Sequence, residues 1–483
     1  MKKTAIRELA AACLSLVLAA GLCACGGSYA YTKGDVEWYS TYSGDEKTIS
    51  DTFYYSDDWF GEKPEKDNEE LALASMQLTA AAVFDDADGA SAKFLKSMGF
   101  DEAGFSDFAS SDPDDFHYTW GRKTLADGTA LVAIAVQSSS TDISVKKKGW
   151  KQNFTVNGDS AEGDHFAYDR GVGKMIDGIA ALGDGGKAKF WITGHSRGGG
   201  IANLLAAKLP DKLGDNNAGI YAYTFESPAT TDEESAGSGD YGYIHNYLCA
   251  DDVITMIPGW GMTRYGDTHE VTDKKRDEGL WDELAALGSD EADQKLRIMV
   301  QDDADRLAAN LAAAVPTRAD YSKERTDKVT ASDGTVHEIK YTYQDSLVRF
   351  MDFIFSGDGD PDNAPVKKLM GRKDDVLASA EHLAEGLKLA NAGKDPSAEY
   401  WTAAEGLYEV MQETGTAGDL SEEELYSILC LAAPVLIEFP EGSSEPSYEL
   451  LTDLAGYSED LTYSHQFDTL IARLKLLAPE PQG

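Results

Sequence analysis

Positive charge is scarce in this sequence of 483 residues. Its 43 Lys and Arg residues face 84 Asp and Glu residues, so the formal net charge is −41 at pH 7. A surface this acidic repels phosphate backbones, and DNA and RNA are therefore excluded as expected partners. The simplest consequence of the high net negative charge is that the protein is soluble and that its molecules repel one another. The hydrophobic fraction of 42% still supplies enough apolar material for a sizeable core.

Cysteine and long apolar runs are also scarce. Of five cysteines, only Cys249 and Cys430 lie beyond residue 25, which is too few for a disulfide framework. These two are expected to be core thiols, although the sequence leaves open whether they pair. No apolar run after residue 22 approaches the roughly 18 residues that span a bilayer. No spacing of His, Cys or Glu is typical of a metal site, and none is predicted.

The N-terminus has the features of a targeting segment. Basic residues precede an apolar stretch at 9–22 that is too short to span a bilayer. Leu22-Cys23-Ala24-Cys25 follows and resembles the lipobox of bacterial lipoproteins. The resemblance implies that residues 1–24 are a signal peptide and that acyl chains on Cys25 anchor the protein to the bacterial cell membrane, outside the cytoplasm. Cys23 is the weaker candidate, and an ordinary secreted signal peptide is the alternative.

Periodicity divides the rest of the chain into four parts. Residues 25–65 are rich in Gly, Ser, Tyr and Asp without a clear period and are predicted to be a tether. Over 66–275, short apolar strands alternate with amphipathic helices, which predicts a mostly parallel sheet with helices on both faces. Residues 276–455 are predicted to be a mainly helical insertion or cap with one hairpin at 328–343. Residues 456–483 are predicted to return a final helix to the core.

The candidate chemistry centres on Gly194-His195-Ser196-Arg197-Gly198. A Gly-x-Ser-x-Gly pattern alone is weak, because about 0.3 matches are expected by chance in a chain of this composition. Here an apolar strand ending at Thr193 precedes it and an amphipathic helix follows from Gly199, as the strained turn of a nucleophile elbow requires. Ser196 is therefore the predicted nucleophile. A glycine-rich structural turn is the alternative, whereas a phosphate loop is disfavoured because no Gly-x-x-x-x-Gly-Lys-Ser/Thr occurs.

A serine nucleophile needs a histidine to take its proton and a carboxylate to orient that histidine. In α/β hydrolases the acid and then the histidine follow the serine along the chain. Asp252 comes directly after a predicted strand and is the predicted acid. His465, in a short loop before the last helix, is the predicted base, and His269 is the second choice. His337 and His382 are expected at the surface.

Five segments in this order resemble the class 3 lipases, the fungal-lipase-like group of α/β hydrolases. The resemblance covers about residues 115–270 and 455–475 of the sequence. It implies an α/β-hydrolase fold, an ester or lipid substrate and no cofactor, and it does not cover the large helical insertion between the two stretches. The segments are Asp164-His165-Phe166-Ala167-Tyr168, Ile192 to Gly199, Phe225-Glu226-Ser227-Pro228, Asp252 to Pro258 and Ser464-His465. The third of them resembles the family's Phe-Gly-Ser-Pro.

One segment departs from the family pattern. Where the family carries Phe-Arg-Gly-Thr or Phe-Arg-Gly-Ser, this chain has Val136-Gln137-Ser138-Ser139. Ser139 and Arg197 are predicted to form the oxyanion hole, and losing one such donor typically costs about 100- to 1000-fold in rate. Three functions stay open. The first is a serine-dependent lipase or esterase, and the second is a catalytically weak or inactive hydrolase-fold lipoprotein that binds lipid, glycan or a partner. Peptidase or thioesterase chemistry on the same triad is a third.

Overall fold

A computed structural model describes residues 29–40, 47–82, 89–106, 116–138, 152–157, 163–183, 188–214, 219–256, 261–272, 277–289, 301–354, 365–457 and 464–478. Cys25 and Ser139 lie outside these ranges, so the lipidation site and one oxyanion donor stay predictions. Within the ranges, no helix is both long enough and apolar enough to cross a membrane.

The described strands form three sheets. Strands β3 to β9 make up a seven-stranded central sheet in chain order, and β1–β2 and β10–β11 are separate antiparallel hairpins. In the central sheet the first two pairings are antiparallel and the other four are parallel, which confirms the predicted mostly parallel sheet. The strands are β1 (Thr32–Ser40), β2 (Lys47–Tyr55), β3 (Glu102–Phe105), β4 (Tyr118–Thr124), β5 (Ala130–Val136), β6 (Ala188–His195), β7 (Ile220–Phe225), β8 (Ile244–Leu248), β9 (Asp267–Glu270), β10 (Arg325–Thr330) and β11 (Val336–Tyr341).

The described α-helices belong to two groups, those that cover the central sheet and those of a later helical region. They are α1 (Glu69–Ala81), α2 (Ala90–Ser97), α3 (Phe166–Leu182), α4 (Arg197–Leu213), α5 (Leu280–Leu287), α6 (Gln301–Ala314), α7 (Arg318–Ser322), α8 (Tyr343–Ile354), α9 (Pro365–Met370), α10 (Lys373–Asn391), α11 (Ser397–Thr414), α12 (Glu422–Leu436), α13 (Glu449–Tyr457) and α14 (Phe467–Leu477). The first five and α14 pack on the sheet.

Helices cover the central sheet on both faces, as β5 illustrates. Its side chains alternate between the faces because successive residues of a strand point in opposite directions. The odd-numbered side chains from Leu131 to Ala135 enter a core shared with α1, α2, α5 and α14. The even-numbered ones from Val132 to Val136 enter a second core with α3 and α4. The α/β-hydrolase architecture expected from the sequence is therefore confirmed.

The described part of the segment predicted to be a tether is folded, so that prediction is wrong for residues 32–40 and 47–61. β1 pairs with β2 along its whole length, and a 3-10 helix at Asp57–Gly61 follows. Trp38 on β1 and Tyr55 on β2 are each 1% exposed, and the polar residues between the buried positions hide their period of two. The Trp38 indole donates a hydrogen bond to Asp468 Oδ1 at 2.8 Å, which ties the hairpin to α14.

The helical region after residue 300 has an apolar core of its own, around Trp401 and Tyr426. The β10–β11 hairpin contributes to this core and turns at Gly334, whose φ is 87°, so the predicted hairpin is confirmed. α5 was expected in the helical insertion, but it packs with α14 in the core of the central sheet. The helical region therefore begins later than residue 276.

The two described cysteines are not paired with each other. Cys249 and Cys430 are both buried free thiols. Cys249 lies in the core of the central sheet and Cys430 in the core of the helical region. The question that the sequence left open is therefore answered: the two thiols are core residues and form no disulfide.

Candidate active site

Ser196 lies in the turn between β6 and α4. Its backbone has φ 56° and ψ −128°, a conformation that L residues rarely adopt and that marks a strained functional turn. The Ser196 N–H donates to the carbonyl of Phe225 at the end of β7, at 2.9 Å. The strand before the serine, the turn and the helix after it are the arrangement of a nucleophile elbow.

The glycines on either side of Ser196 allow close backbone approach. A Cβ on Gly194 would lie 2.3 Å from the carbonyl oxygen of Gly198. A Cβ on Gly198 would lie 2.6 Å from the carbonyl oxygen of Val136. Neither distance is possible for a real side chain, so both positions require glycine, and the expected clash is confirmed.

The predicted serine, acid and base come together in one hydrogen-bonded chain. Ser196 Oγ lies 2.8 Å from Nε2 of His465. Nδ1 of the same imidazole lies 2.6 Å from Oδ2 of Asp252, and Oδ1 of Asp252 accepts the N–H of Ile254 at 2.9 Å. With its Nδ1–H donated to the carboxylate, His465 is left to accept the serine proton at Nε2.

The three side chains differ in how far they are buried. Asp252 is fully buried, whereas the His465 side chain is 14% exposed and Ser196 is 9% exposed. Burial alone raises the pKa of Asp252, but the neighbouring His465, together with Glu226 and the N–H of Ile254, outweighs burial and holds this pKa below its ordinary value. Asp252 is therefore an ionised acceptor at the buried end of the chain.

His195, which precedes the nucleophile, supports the base and was not predicted to do so. Its Nε2–H donates to the main-chain carbonyl of His465 at 2.9 Å, and Nδ1 lies 3.3 Å from Oγ of Ser138. Burial, reinforced by the His465 side chain, lowers its pKa well below the ordinary value, so the ring is neutral. Only the position of His195 in the elbow motif could have pointed to this role.

Glu226 is the second residue that the sequence did not single out. It follows β7, is fully buried and has φ 44°; it and Ser196 are the non-glycine residues with positive φ in the described chain. The N–H of Cys249 donates to its two carboxyl oxygens at 2.9 and 3.2 Å. Oxygen atoms of its carboxyl group and of the Asp252 carboxyl group lie within 4.8 Å of each other. The sequence did contain a clue to this residue, because Glu226 replaces the glycine of the family's Phe-Gly-Ser-Pro.

The predicted oxyanion segment lies beside the elbow. Gln137 and Ser138 follow β5 and lie against the first turn of α4, where the carbonyl of Gln137 is close to Gly198. The N–H of Arg197 belongs to this first turn, whose N–H groups have no partner within the helix. The positive end of the helix dipole therefore faces the space above Ser196.

His269, the second choice for the base, lies elsewhere. It is on β9, where its Nε2 is 3.1 Å from Nδ1 of His245 and its Nδ1 is 3.4 Å from Asp67. His245 in turn lies 2.8 Å from the carbonyl of Pro64 through Nε2. Asp67, His245 and His269 are close enough to hold a metal ion, but these hydrogen bonds already occupy the facing atoms. None of them contacts Ser196 within the described residues.

The elbow, the strand after it and the Asp252 loop lie within one stretch of the chain that matches a known family. Residues 136–262 match the family model for lipase (class 3). The resemblance predicted from the sequence is thereby confirmed, and the match supports a serine-dependent ester hydrolase. No curated protein matches the sequence.

Several solved lipases are similar to part of the chain. One is a triacylglycerol lipase whose catalytic centre is a serine protease triad, with 16% identity over 43% of this chain and 80% of that one and a TM-score of 0.32. A lipase from Rhizopus microsporus var. chinensis has 16% identity over 43% and 75% of the two chains and a TM-score of 0.31. Rhizomucor miehei triacylglyceride lipase has 18% identity over 34% and 64% and a TM-score of 0.27.

Proposed function

We propose that this chain is a carboxylic ester hydrolase of the lipase or esterase type with Ser196, His465 and Asp252 as its catalytic triad. The observation that carries the proposal is the unbroken hydrogen-bonded chain from Ser196 Oγ through His465 to Asp252, at 2.8 and 2.6 Å. A second support is the strained φ of 56° that presents the serine at the turn. A serine with a purely structural role requires neither this hydrogen-bonded chain nor a strained φ.

In the proposed reaction, Ser196 Oγ attacks the acyl carbonyl carbon while Nε2 of His465 takes the hydroxyl proton. The resulting oxyanion is held by main-chain N–H groups, which we assign to Arg197 and Ser139, and by the dipole of α4. His465 then protonates the leaving alcohol and an acyl-enzyme remains. Water, deprotonated by His465, releases the acid and restores the serine. Asp252 keeps the imidazole in the tautomer that this cycle needs.

We also propose that the protein works outside the cytoplasm, attached to the membrane through acyl chains on Cys25. The supporting observation is the sequence Leu22-Cys23-Ala24-Cys25 after a short apolar stretch, and multiple acyl chains give stable anchoring. Cys25→Ala should move the protein from the membrane fraction to the soluble fraction and abolish incorporation of a labelled fatty acid. Cys23→Ala is the matched control and should change neither. Membrane attachment of Cys25→Ala with undiminished labelling would contradict the proposal.

A fluorophosphonate probe tests the catalytic proposal, because it labels activated serines alone. The wild type should be labelled, Ser196→Ala should not be, and His465→Ala should lose labelling because the serine proton has no acceptor. His269→Ala is the matched control and should label like the wild type. Loss of labelling in His269→Ala but not in His465→Ala would overturn the choice of base. A series of p-nitrophenyl esters of increasing chain length would then distinguish lipase from short-chain esterase.

The second candidate function is a weak or inactive hydrolase-fold lipoprotein that binds lipid, glycan or a partner. It is favoured by one observation, the Gln137-Ser138 sequence where the family carries Arg-Gly. A well-folded wild type that the probe does not label, and that binds lipid vesicles or glycans, would support this candidate. Labelling that depends on Ser196 excludes the inactive form.

A further inference from the structure

A buried acid next to the triad has no place in the reaction described so far. Glu226 is fully buried, follows β7 and has a positive φ of 44°. Positive φ is unfavourable for every residue except glycine, with small exceptions for Asn and Asp. A glutamate at such a position, buried and away from solvent, needs an interaction that a glycine could not supply.

The surroundings of Glu226 show what that interaction is. Its carboxyl group lies next to that of Asp252, because ligand-capable atoms of Glu226, Asp252 and His465 all lie within 4.8 Å of one another. Cys249 gives it one main-chain donor, at 2.9 and 3.2 Å from the two oxygens. Among the described residues, the guanidinium of Arg264 interacts with both carboxyl groups. Two adjacent carboxyl groups therefore share one neighbouring guanidinium.

Two nitrogen atoms of Arg264 donate hydrogen bonds to other residues. Its Nε–H donates to the carbonyl and hydroxyl oxygens of Ser227 at 2.7 and 3.0 Å, and an Nη2–H donates to the carbonyl of Thr255. One guanidinium balances one carboxylate, and two carboxylates in contact cannot both be ionised without a large electrostatic cost. Burial, followed by the charge of Asp252, raises the pKa of Glu226 well above its ordinary value. The proton of the pair therefore resides on Glu226.

We propose that Glu226 is a positioning residue of the triad, which as a neutral acid donates its carboxyl O–H to the Asp252 carboxylate. The hydrogen-bonded chain then has four members, Glu226, Asp252, His465 and Ser196. Glu226 then holds the Asp252 carboxyl group in place for the imidazole, and it offsets part of the negative charge that His465 faces. This inference rests on the proposed ester hydrolase for its catalytic consequence, but not for the protonation of Glu226.

The protonation is tested by stability, without reference to activity. A group whose folded pKa is raised stabilises the fold at low pH, and this stability is lost as pH rises above the unfolded pKa, near 4.3 for Glu. Glu226→Gln has no proton to lose, so its Tm should rise relative to the wild type as pH increases from about 5 to about 9. Glu270→Gln, exposed on β9, is the matched control and should show a constant difference. A constant difference for Glu226→Gln as well would overturn the proposal.

A measurement on the unmodified protein covers the case in which Glu226→Gln does not fold. Infrared spectroscopy of the wild type should show a protonated carboxyl band that persists at about pH 8, far above the ordinary pKa of Glu. Its absence would overturn the proposal. Where Glu226→Gln is folded, this band should be missing from its spectrum.

The positioning role is tested by the rate of fluorophosphonate labelling as a function of pH. Glu226→Gln keeps a donor for Asp252 and an acceptor for the Cys249 N–H, so its rate should stay within about twofold of the wild type. Glu226→Gly suits the positive φ but removes the donor, so its rate should fall about tenfold. Its acid limb should also move to higher pH, because a less compensated Asp252 favours protonated His465.

Failure of this inference differs from failure of the proposed function. If the wild type is not labelled, the hydrolase proposal fails while the pH dependence of Tm still reports on Glu226. If the wild type is labelled and a folded Glu226→Gly matches its rate and pH profile, the positioning role is wrong and the hydrolase stands. If Glu226→Gln loses as much activity as Glu226→Gly, a charged Glu226 is required and the neutral acid is wrong.

Discussion

Arg473 forms a bidentate ion pair with Asp251, with Nη1 3.1 Å from Oδ1 and Nη2 2.9 Å from Oδ2. Nη1 also donates to Oγ of Ser464 at 3.2 Å. Asp251 immediately precedes Asp252, and Ser464 immediately precedes His465. One buried side chain on α14 therefore joins the loop that carries the acid to the loop that carries the base, although more than 200 residues separate them in the sequence.

Removing this guanidinium should damage both the fold and the site. Arg473→Met leaves the buried Asp251 carboxylate without its partner, a change that typically costs about 3–5 kcal/mol. We expect the free energy of unfolding, measured by urea denaturation, to fall by that order. Arg473→Lys retains the charge without the planar fork and should recover only part of the loss. Unfolding of Arg473→Met at the wild-type urea concentration would contradict this role.

The sequence was sufficient to select the three residues of the proposed triad, because each of them has a local signal. Ser196 stands in a glycine pattern between a strand and a helix, Asp252 follows a strand, and His465 precedes the last helix. Arg473 and Glu226 carry no such signal on their own. Their roles depend on contacts between segments far apart in the chain, and only the substitution of glycine by Glu226 in a family motif marks either of them.

The β1–β2 hairpin shows a second limit of sequence reasoning. Its buried positions do alternate, but Gly, Asp and Ser residues lie between them and are typical of a tether. What makes the hairpin fold is its partner: Trp38 packs in the core beside α14 and donates to Asp468. Tertiary contact outweighs local propensity here, as it commonly does for strands.

The two elbow glycines should not tolerate even a methyl group. Gly198→Ala places a Cβ 2.6 Å from the Val136 carbonyl, and Gly194→Ala places one 2.3 Å from the Gly198 carbonyl. Because backbone must move in both cases, we expect each variant to lower the Tm and to abolish fluorophosphonate labelling. Gly173→Ala is the matched control, since nothing lies within 4 Å of its Cβ in α3.

The control variant Gly173→Ala also has an expected effect on stability. Alanine is favoured over glycine inside a helix by about 0.5–1 kcal/mol, so Gly173→Ala should be as stable as the wild type or slightly more stable. Its labelling rate should be unchanged. Gly198→Ala with the stability and labelling of Gly173→Ala would show that the elbow is not packed as closely as described.

The buried His195 should make the fold sensitive to acid. Its pKa is lowered in the folded protein, so the folded state stays neutral while the unfolded state binds a proton below about pH 6.5. Stability is therefore fully present above this pH and is lost as pH falls, by at most about 1.4 kcal/mol per pH unit from this group. His195→Asn should lower stability at neutral pH but lose less on acidification, as measured by urea denaturation at a series of pH values. Parallel pH curves for the two proteins would argue against a neutral His195.

The strain at Ser196 predicts a conflict between stability and activity at one residue. A non-glycine residue at φ 56° and ψ −128° lowers the free energy of unfolding by about 1–3 kcal/mol. Glycine adopts this backbone region without strain, but its more flexible unfolded chain lowers the free energy of unfolding by about 0.5–1 kcal/mol. Ser196→Gly should therefore exceed Ser196→Ala in free energy of unfolding by about 1 kcal/mol, although both lose the nucleophile and neither is labelled. Ser196→Ala is the proper reference because it removes the hydroxyl and keeps the Cβ. Equal or lower stability of Ser196→Gly would mean that the elbow is relaxed, and that holding the serine in place costs the fold nothing.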